Sequence, residues 1–256
     1  MKRTSMKTLS RLFLFLAALP LACNSDASIA IFMLGDSTMA DKPNPESNPE
    51  RGWGQVLPRF FNEHVAVKNF AVNGRSTKSF IDEGRWEVVR KQLTPGDYVF
   101  IQFGHNDTKA TDPKRYTNPH TGYRRNLLKF VREARERGAL PILFSPIVRR
   151  NFNEAGTLED THGAYPLVMR TLAHEMNVPF IDLQLKSEEL VLSLGPENSK
   201  ALYLWLAPGK YAMYPEGKQD NTHFTETGAM AMAKLAVAGL CEQNSALINF
   251  MKRGQQ

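Results

Sequence analysis

Ile29-Ala-Ile-Phe-Met-Leu-Gly-Asp-Ser-Thr38 sets six apolar residues directly against a polar turn. A strand buried on both faces of a parallel sheet needs such a run, because its side chains alternate between two covered faces. Four further runs, at 65–70, 98–103, 140–144 and 178–181, predict four more strands, most of them continuously apolar. Stretches with apolar residues at helical spacing lie between and after them, at 54–64, 86–92, 121–137, 165–176 and 225–240. The 121–137 stretch stops at Gly138, a residue that ends helices readily. Strands alternating with helices predict an α/β fold: a five-stranded parallel sheet covered by helices. Residues 187–217 read only as short helices and loops that could shape a cleft.

Composition bounds the rest. Of 256 residues, 42% are hydrophobic and 23% charged, enough apolar material for one well-filled domain and too much for a disordered chain. The formal charge of +6 partly resides at the start. Lys2, Arg3, Lys7 and Arg11 face only Asp26 there, so residues 28–256 keep an excess of +3. No Lys/Arg run is interleaved with aromatics, which argues against nucleic acid as a partner.

Residues 1–27 have the layout of an export signal: basic residues, an apolar run over 12–21, then small residues. The run is too short for a stable membrane span. Ser25-Asp26-Ala27 fits the small-x-small cleavage rule and would release a domain of residues 28–256 to the periplasm or the exterior. Leu21-Ala22-Cys23 partly resembles a lipoprotein box, although Pro20 stands where an aliphatic residue is preferred. Lipid attachment through Cys23, and with it membrane association, is the alternative. Once the leader is cleaved, Cys241 is alone in an apolar helix, where an inert packed thiol is expected.

Four short blocks carry chemistry. Gly35-Asp36-Ser37-Thr38 follows the first strand, Asn73-Gly74-Arg75-Ser76 the second and Gly104-His105-Asn106-Asp107 the third. Asp220-Asn221-Thr222-His223 precedes the last helix. In an open α/β sheet, functional groups collect beyond the carboxyl ends of the strands, where the first three blocks fall. Taken singly, each has a bland reading as a turn or a helix cap. Together they supply a nucleophile (Ser37), a base (His223), an orienting carboxylate (Asp220) and three oxyanion donors. The donors are the backbone N–H groups of Ser37 and Gly74 and the Asn106 amide. Acyl transfer needs that set. Asp220 and His223 are three apart, close enough to meet within one turn of chain, and Thr222 or Thr225 can serve as the helix cap in their stead.

In this order the blocks resemble the SGNH (GDSL) hydrolases, named for the residues that match Ser37, Gly74, Asn106 and His223 here. The resemblance runs from about residue 31 to 240. Within the superfamily it is closest to the rhamnogalacturonan acetylesterases, on four strings: Arg51-Gly-Trp-Gly-Gln, Asn73-Gly-Arg-Ser-Thr-Lys-Ser-Phe-Ile-Asp-Glu-Gly-Arg-Trp, Ser145-Pro-Ile-Val-Arg-Arg and Asp220-Asn-Thr-His-Phe. The resemblance implies a three-layer flavodoxin-like fold, no cofactor or metal, and removal of O-acetyl groups from pectin. Other acetylated sugars, lipids or thioesters are alternative substrates. A metallophosphoesterase is disfavoured by the order of Gly104-His-Asn-Asp and by the lack of an early Asp-x-His pair. A non-catalytic sugar-binding module would be expected to lack one of the four reactive groups. Arg75, Lys78 and Arg85 are candidates for meeting uronate carboxylates, with local ion pairs as the bland alternative. Trp53 and Trp86 read as core rather than sugar platforms, and His64, His120, His162 and His174 have no supporting motif.

Overall fold

A computed structural model describes residues 29–254. The segment expected to act as an export signal, with Cys23, lies outside the described residues. The chain begins with β1 (Ile29–Gly35), a short β2 (Glu50–Arg51) and α1 (Trp53–Val56). β3 (Val65–Asn69), α2 (Thr77–Asp82), α3 (Arg85–Arg90) and β4 (Tyr98–Gln102) follow. Next come α4 (Arg124–Glu136), β5 (Leu140–Phe144), α5 (Tyr165–Glu175) and β6 (Phe180–Ile181). The last elements are α6 (Leu183–Asn198), β7 (Tyr203–Leu206), β8 (Lys218–Thr225) and α7 (Glu226–Glu242).

The central sheet has five parallel strands in the order β3-β1-β4-β5-β6. This is the predicted α/β architecture, and the apolar runs explain it. Ile31 and Met33 of β1 face one layer with Phe100, Phe144 and the apolar side of α7. Phe32 and Leu34 face the other with Ile101, Leu143 and the buried sides of α2 to α5. The side chains of β1 from Ala30 to Leu34 and all those of β4 therefore enter a core, whichever way they point. The chain leaves β1 for β3 on one side and then β4 on the other. Such a reversal opens a crevice beyond the carboxyl ends of β1 and β4.

Three expectations are corrected and one helix is added. The helix expected over 54–64 is only α1 followed by a 3-10 turn at Leu57–Phe60, because Pro58 has no N–H to continue an α-helical ladder. The strand expected over 178–181 shortens to β6, since Pro179 cannot donate to the sheet. α2, which no periodicity announced, starts at a Ser76/Ser79 capping box. Finally, 187–217 contains most of α6, kinked at Gly195-Pro196, and β7. β7 joins β8 and β2 in an antiparallel three-stranded sheet in the order β2-β8-β7. Trp53 and Trp86 are fully enclosed, as expected, with their indole N–H groups on Gln102 and Glu133. Cys241 is half-buried in α7 and unpaired.

Candidate active site

Gly35 closes β1, and the next residues turn sharply. Buried Asp36 stabilises that turn. Its carboxylate accepts the backbone N–H and hydroxyl of Thr38 (2.9 and 2.8 Å) and Nδ1–H of His105 (3.2 Å). Burial opposes the Asp36 charge, but His105 and Thr38 outweigh it and bring its pKa to about 2. Burial lowers the His105 pKa, against the opposing pull of Asp36. The pair ties the turn after β1 to the loop after β4, so Ser37 and Asn106 stand in fixed relation.

The Ser37 hydroxyl donates to Nε2 of His223 at 2.8 Å, and Nδ1–H of His223 donates to Asp220 Oδ2 at 2.8 Å. Oδ1 of Asp220 accepts the backbone N–H groups of Thr222 (2.8 Å) and His223 (3.0 Å). Burial raises the Asp220 pKa, but these bonds and the imidazole prevail and hold it well below the usual carboxylate range. Asp220 and His223 are part of β8, not of a turn at a helix start. On a regular strand, residues three apart point to opposite faces. Here Tyr203 pairs with Phe224 but Leu204 with Asp220, so Asn221, Thr222 and His223 bulge from the ladder. The bulge lets His223 fold back onto Asp220. Its outer side is clamped at Asn221. The Asn221 side-chain oxygen accepts from Arg150 Nη1 (2.7 Å) and Trp205 Nε1 (2.8 Å), and its carbonyl accepts the Arg150 N–H (2.8 Å). Thr225 supplies the cap of α7 through its hydroxyl oxygen.

The oxyanion donors are also arranged. Gly74 has φ +76°, a left-handed conformation in which a side chain is strained. Asn106 spends one amide hydrogen on the Arg75 carbonyl (3.0 Å), and Arg115 Nη1 donates to its oxygen (3.5 Å). Both contacts set the amide's orientation and leave its second N–H uncommitted.

Residues 33–231 match the GDSL-like lipase/acylhydrolase family. The chain belongs to that family. This GDSL-like acylhydrolase is 46% identical to rhamnogalacturonan acetylesterase RhgT of Bacillus subtilis over 84% of this chain and 90% of that one. It is 39% identical to the probable rhamnogalacturonan acetylesterase YesY of the same organism, over 83% and 92%. The crystal structure of B. subtilis YxiM superposes with a TM-score of 0.74 at 29% identity, covering 86% of this chain and 58% of that one. The resemblance drawn from the four blocks is thus borne out.

Arg75, Lys78 and Arg85 all form the local ion pairs that were the alternative reading of these cations. Arg75 lends its carbonyl to Asn106, but its guanidinium is taken by Glu83 (3.0 Å) and the Asn73 carbonyl (2.8 Å). Glu83 also holds Arg85 (2.6 Å), and Lys78 pairs with Asp82 (2.7 Å). Lys42 of the acylhydrolase was not foreseen. Its buried ammonium donates to the Ser37 carbonyl (2.7 Å) and Asn73 Oδ1 (2.6 Å) and pairs with Glu50 (2.7 Å). It braces the nucleophile turn against the Gly74 block. A lysine in a loop with three prolines gives no local signal of such a role.

Asp107, next to Asn106, is buried, and among the described residues no cation pairs with it. Thr77, through its N–H and hydroxyl, and the Thr117 hydroxyl donate to it. Burial prevails over these bonds and pushes its pKa up to about 7. The folded state then holds a proton that the unfolded state, near the ordinary carboxylate value, releases. Between roughly pH 4 and 7 this group destabilises the fold progressively as pH rises. Asp107→Asn removes the titration, so the Tm of the variant relative to wild type should climb from pH 5 to 8. A constant difference across that range would show that the carboxyl does not titrate.

Proposed function

We propose that this chain is a serine esterase that releases acetate from an O-acetylated polysaccharide, and that the polymer is rhamnogalacturonan. The observation that carries the esterase is the continuous line from the Ser37 hydroxyl through His223 to Asp220, with each step at 2.8 Å. His223 Nε2 takes the hydroxyl proton as Ser37 Oγ attacks the acetyl carbonyl. Negative charge develops on the carbonyl oxygen, toward the N–H groups of Ser37 and Gly74 and the free amide N–H of Asn106. Collapse breaks the bond to the sugar oxygen, which leaves with the proton from His223. Water, deprotonated by the same imidazole, then cleaves acetyl-Ser37. Asp220 stays ionised throughout and stabilises the imidazolium.

RhgT and YesY support the choice of polymer, and their names describe that substrate. A cell-wall polymer is met outside the cytoplasm, and the export layout of residues 1–27 is in keeping with that. The test compares kcat/KM for acetate release from acetylated rhamnogalacturonan and acetylated xylan, with p-nitrophenyl esters of rising acyl length alongside. Faster release from rhamnogalacturonan and a preference for acetyl are expected. Equal rates on both polymers would leave an esterase without the pectin assignment, and a preference for long acyl chains would remove the acetyl one.

A further inference from the structure

The cations that the sequence placed near the Gly74 block are neutralised by Glu83 and Asp82. Three others surround the loop that carries Asn106. Lys109 lies three residues beyond it, its N–H on the Asn106 carbonyl (3.2 Å), with its side chain exposed. Arg149, at the end of the Ser145-Pro-Ile-Val-Arg-Arg string, donates to the carbonyls of His105 (2.9 Å) and Thr161 (3.1 Å). Arg115 touches the Asn106 amide oxygen and stands 3.7 Å from where a Cβ on Gly74 would be.

Among the described residues, Arg115 has Asp112 as its acid (2.5 Å), whereas no carboxylate pairs with Lys109 or Arg149. Asp36, the buried carboxylate whose field reaches both, is committed to Thr38 and His105. Partial burial, then the guanidiniums of Arg115 and Arg149, hold the Lys109 pKa below the ordinary lysine value against the opposing pull of Asp36 and Asp112. Burial does the same to Arg149. An ammonium pressed by two guanidiniums, with no carboxylate paired to it, is short of counter-charge, and an incoming anion relieves that repulsion.

We propose that Lys109 and Arg149 form a carboxylate-binding subsite beside the oxyanion donors, which seats a uronate of the polymer while Ser37 attacks a nearby acetyl group. The inference rests on the proposed polysaccharide substrate. Arg149 has its orientation set by two carbonyls, and its remaining N–H groups suit the planar fork of a carboxylate. Lys109 adds an adjustable point charge at the rim. A uronate carries its carboxylate on the same ring framework as its acylated hydroxyls. A cationic site flanking the oxyanion hole can therefore hold the ring in register with the nucleophile.

The test uses one acetylated rhamnogalacturonan in two forms, with free carboxylates and with carboxyls methyl-esterified, and reads the ratio of kcat/KM between them. Wild type should favour the free acid, less so as salt is raised. Lys109→Met and Arg149→Gln should each lower the ratio by about tenfold, the order of one lost charge-assisted contact. Gln keeps an N–H for the His105 carbonyl, and exposed Lys109 carries the test if the Arg149 variant proves unstable. Lys91→Ala removes an equal charge at the carboxyl end of α3, on the segment that leads into the start of β4, and should keep the wild-type ratio. A wild-type ratio of one, or variants that retain the wild-type ratio, would overturn the subsite and leave the acetylesterase standing. A wild type that frees no acetate from either form, while cleaving p-nitrophenyl acetate, would overturn both.

Discussion

Ser37→Ala lowers ester hydrolysis by about 10⁶-fold, the scale seen when a triad serine is removed, and leaves the fold intact. The hydroxyl makes one side-chain hydrogen bond, to His223 Nε2. The turn that presents it is held by other atoms: Asp36 on Thr38, and Lys42 on the Ser37 carbonyl. Deleting Oγ therefore removes the attacking atom, creates no cavity in either core, and breaks none of the bonds that shape the loop. Initial rates on p-nitrophenyl acetate and thermal unfolding, measured on the same preparation, check both halves. Activity above a few per cent of wild type would take Ser37 out of the mechanism. A large fall in Tm would show that the hydroxyl serves the fold.

Asp220→Asn should lower kcat by about 10⁴-fold with little change in KM. The reason is a count of donors. The two carboxylate oxygens accept three N–H groups, from the backbone of Thr222 and His223 and from the imidazole. A carboxamide has one oxygen. If that oxygen stays under the two backbone donors, its NH₂ faces His223 Nδ1, and the imidazole must move its proton to Nε2. Nε2 then cannot accept from Ser37. If the amide flips, the backbone donors of the bulge lose their acceptor and the loop holding His223 loosens. Both outcomes depress kcat, and a loosened bulge adds a loss of thermal stability. Rates within tenfold of wild type would mean that Asp220 does not set the tautomer.

Within the chain, what was legible and what was not divide by the range of the interaction. The central strands could be read because burial on both faces of a sheet is written into consecutive residues, as in 29–34, and needs no knowledge of the partner. The same is true of the reactive groups. Ser37, Gly74 and Asn106 each follow a strand, and the positions of the strands alone bring their loops to one edge. The short helix α2 and strand β7 were missed because they have too few residues for a period to show. Asp220 and His223 were recognised as a pair, but on local spacing the turn before a helix was the natural setting. Only the three-residue slip between β7 and β8, which depends on how two distant segments register, puts them on a bulged strand.

Charge was the least legible of all. A sequence shows Arg75, Lys78, Lys109 and Arg149 as equal positive charges. Folding decides which meet a carboxylate: Glu83 and Asp82 take the first two, while the last two, beside the loop of Asn106, have no paired acid among the described residues. Buried Lys42 and the Arg150–Trp205 clamp on Asn221 belong to the same class. Each joins residues far apart in the chain, so no local window holds both partners. The sequence by itself determined the layered sheet and pointed to the candidate reacting groups, because hydrophobic period and strand-end position are local properties. The tertiary structure alone decided the geometry of the relay and the sign of the field around it, because hydrogen-bond direction and charge pairing depend on which distant atoms are brought within a few ångströms.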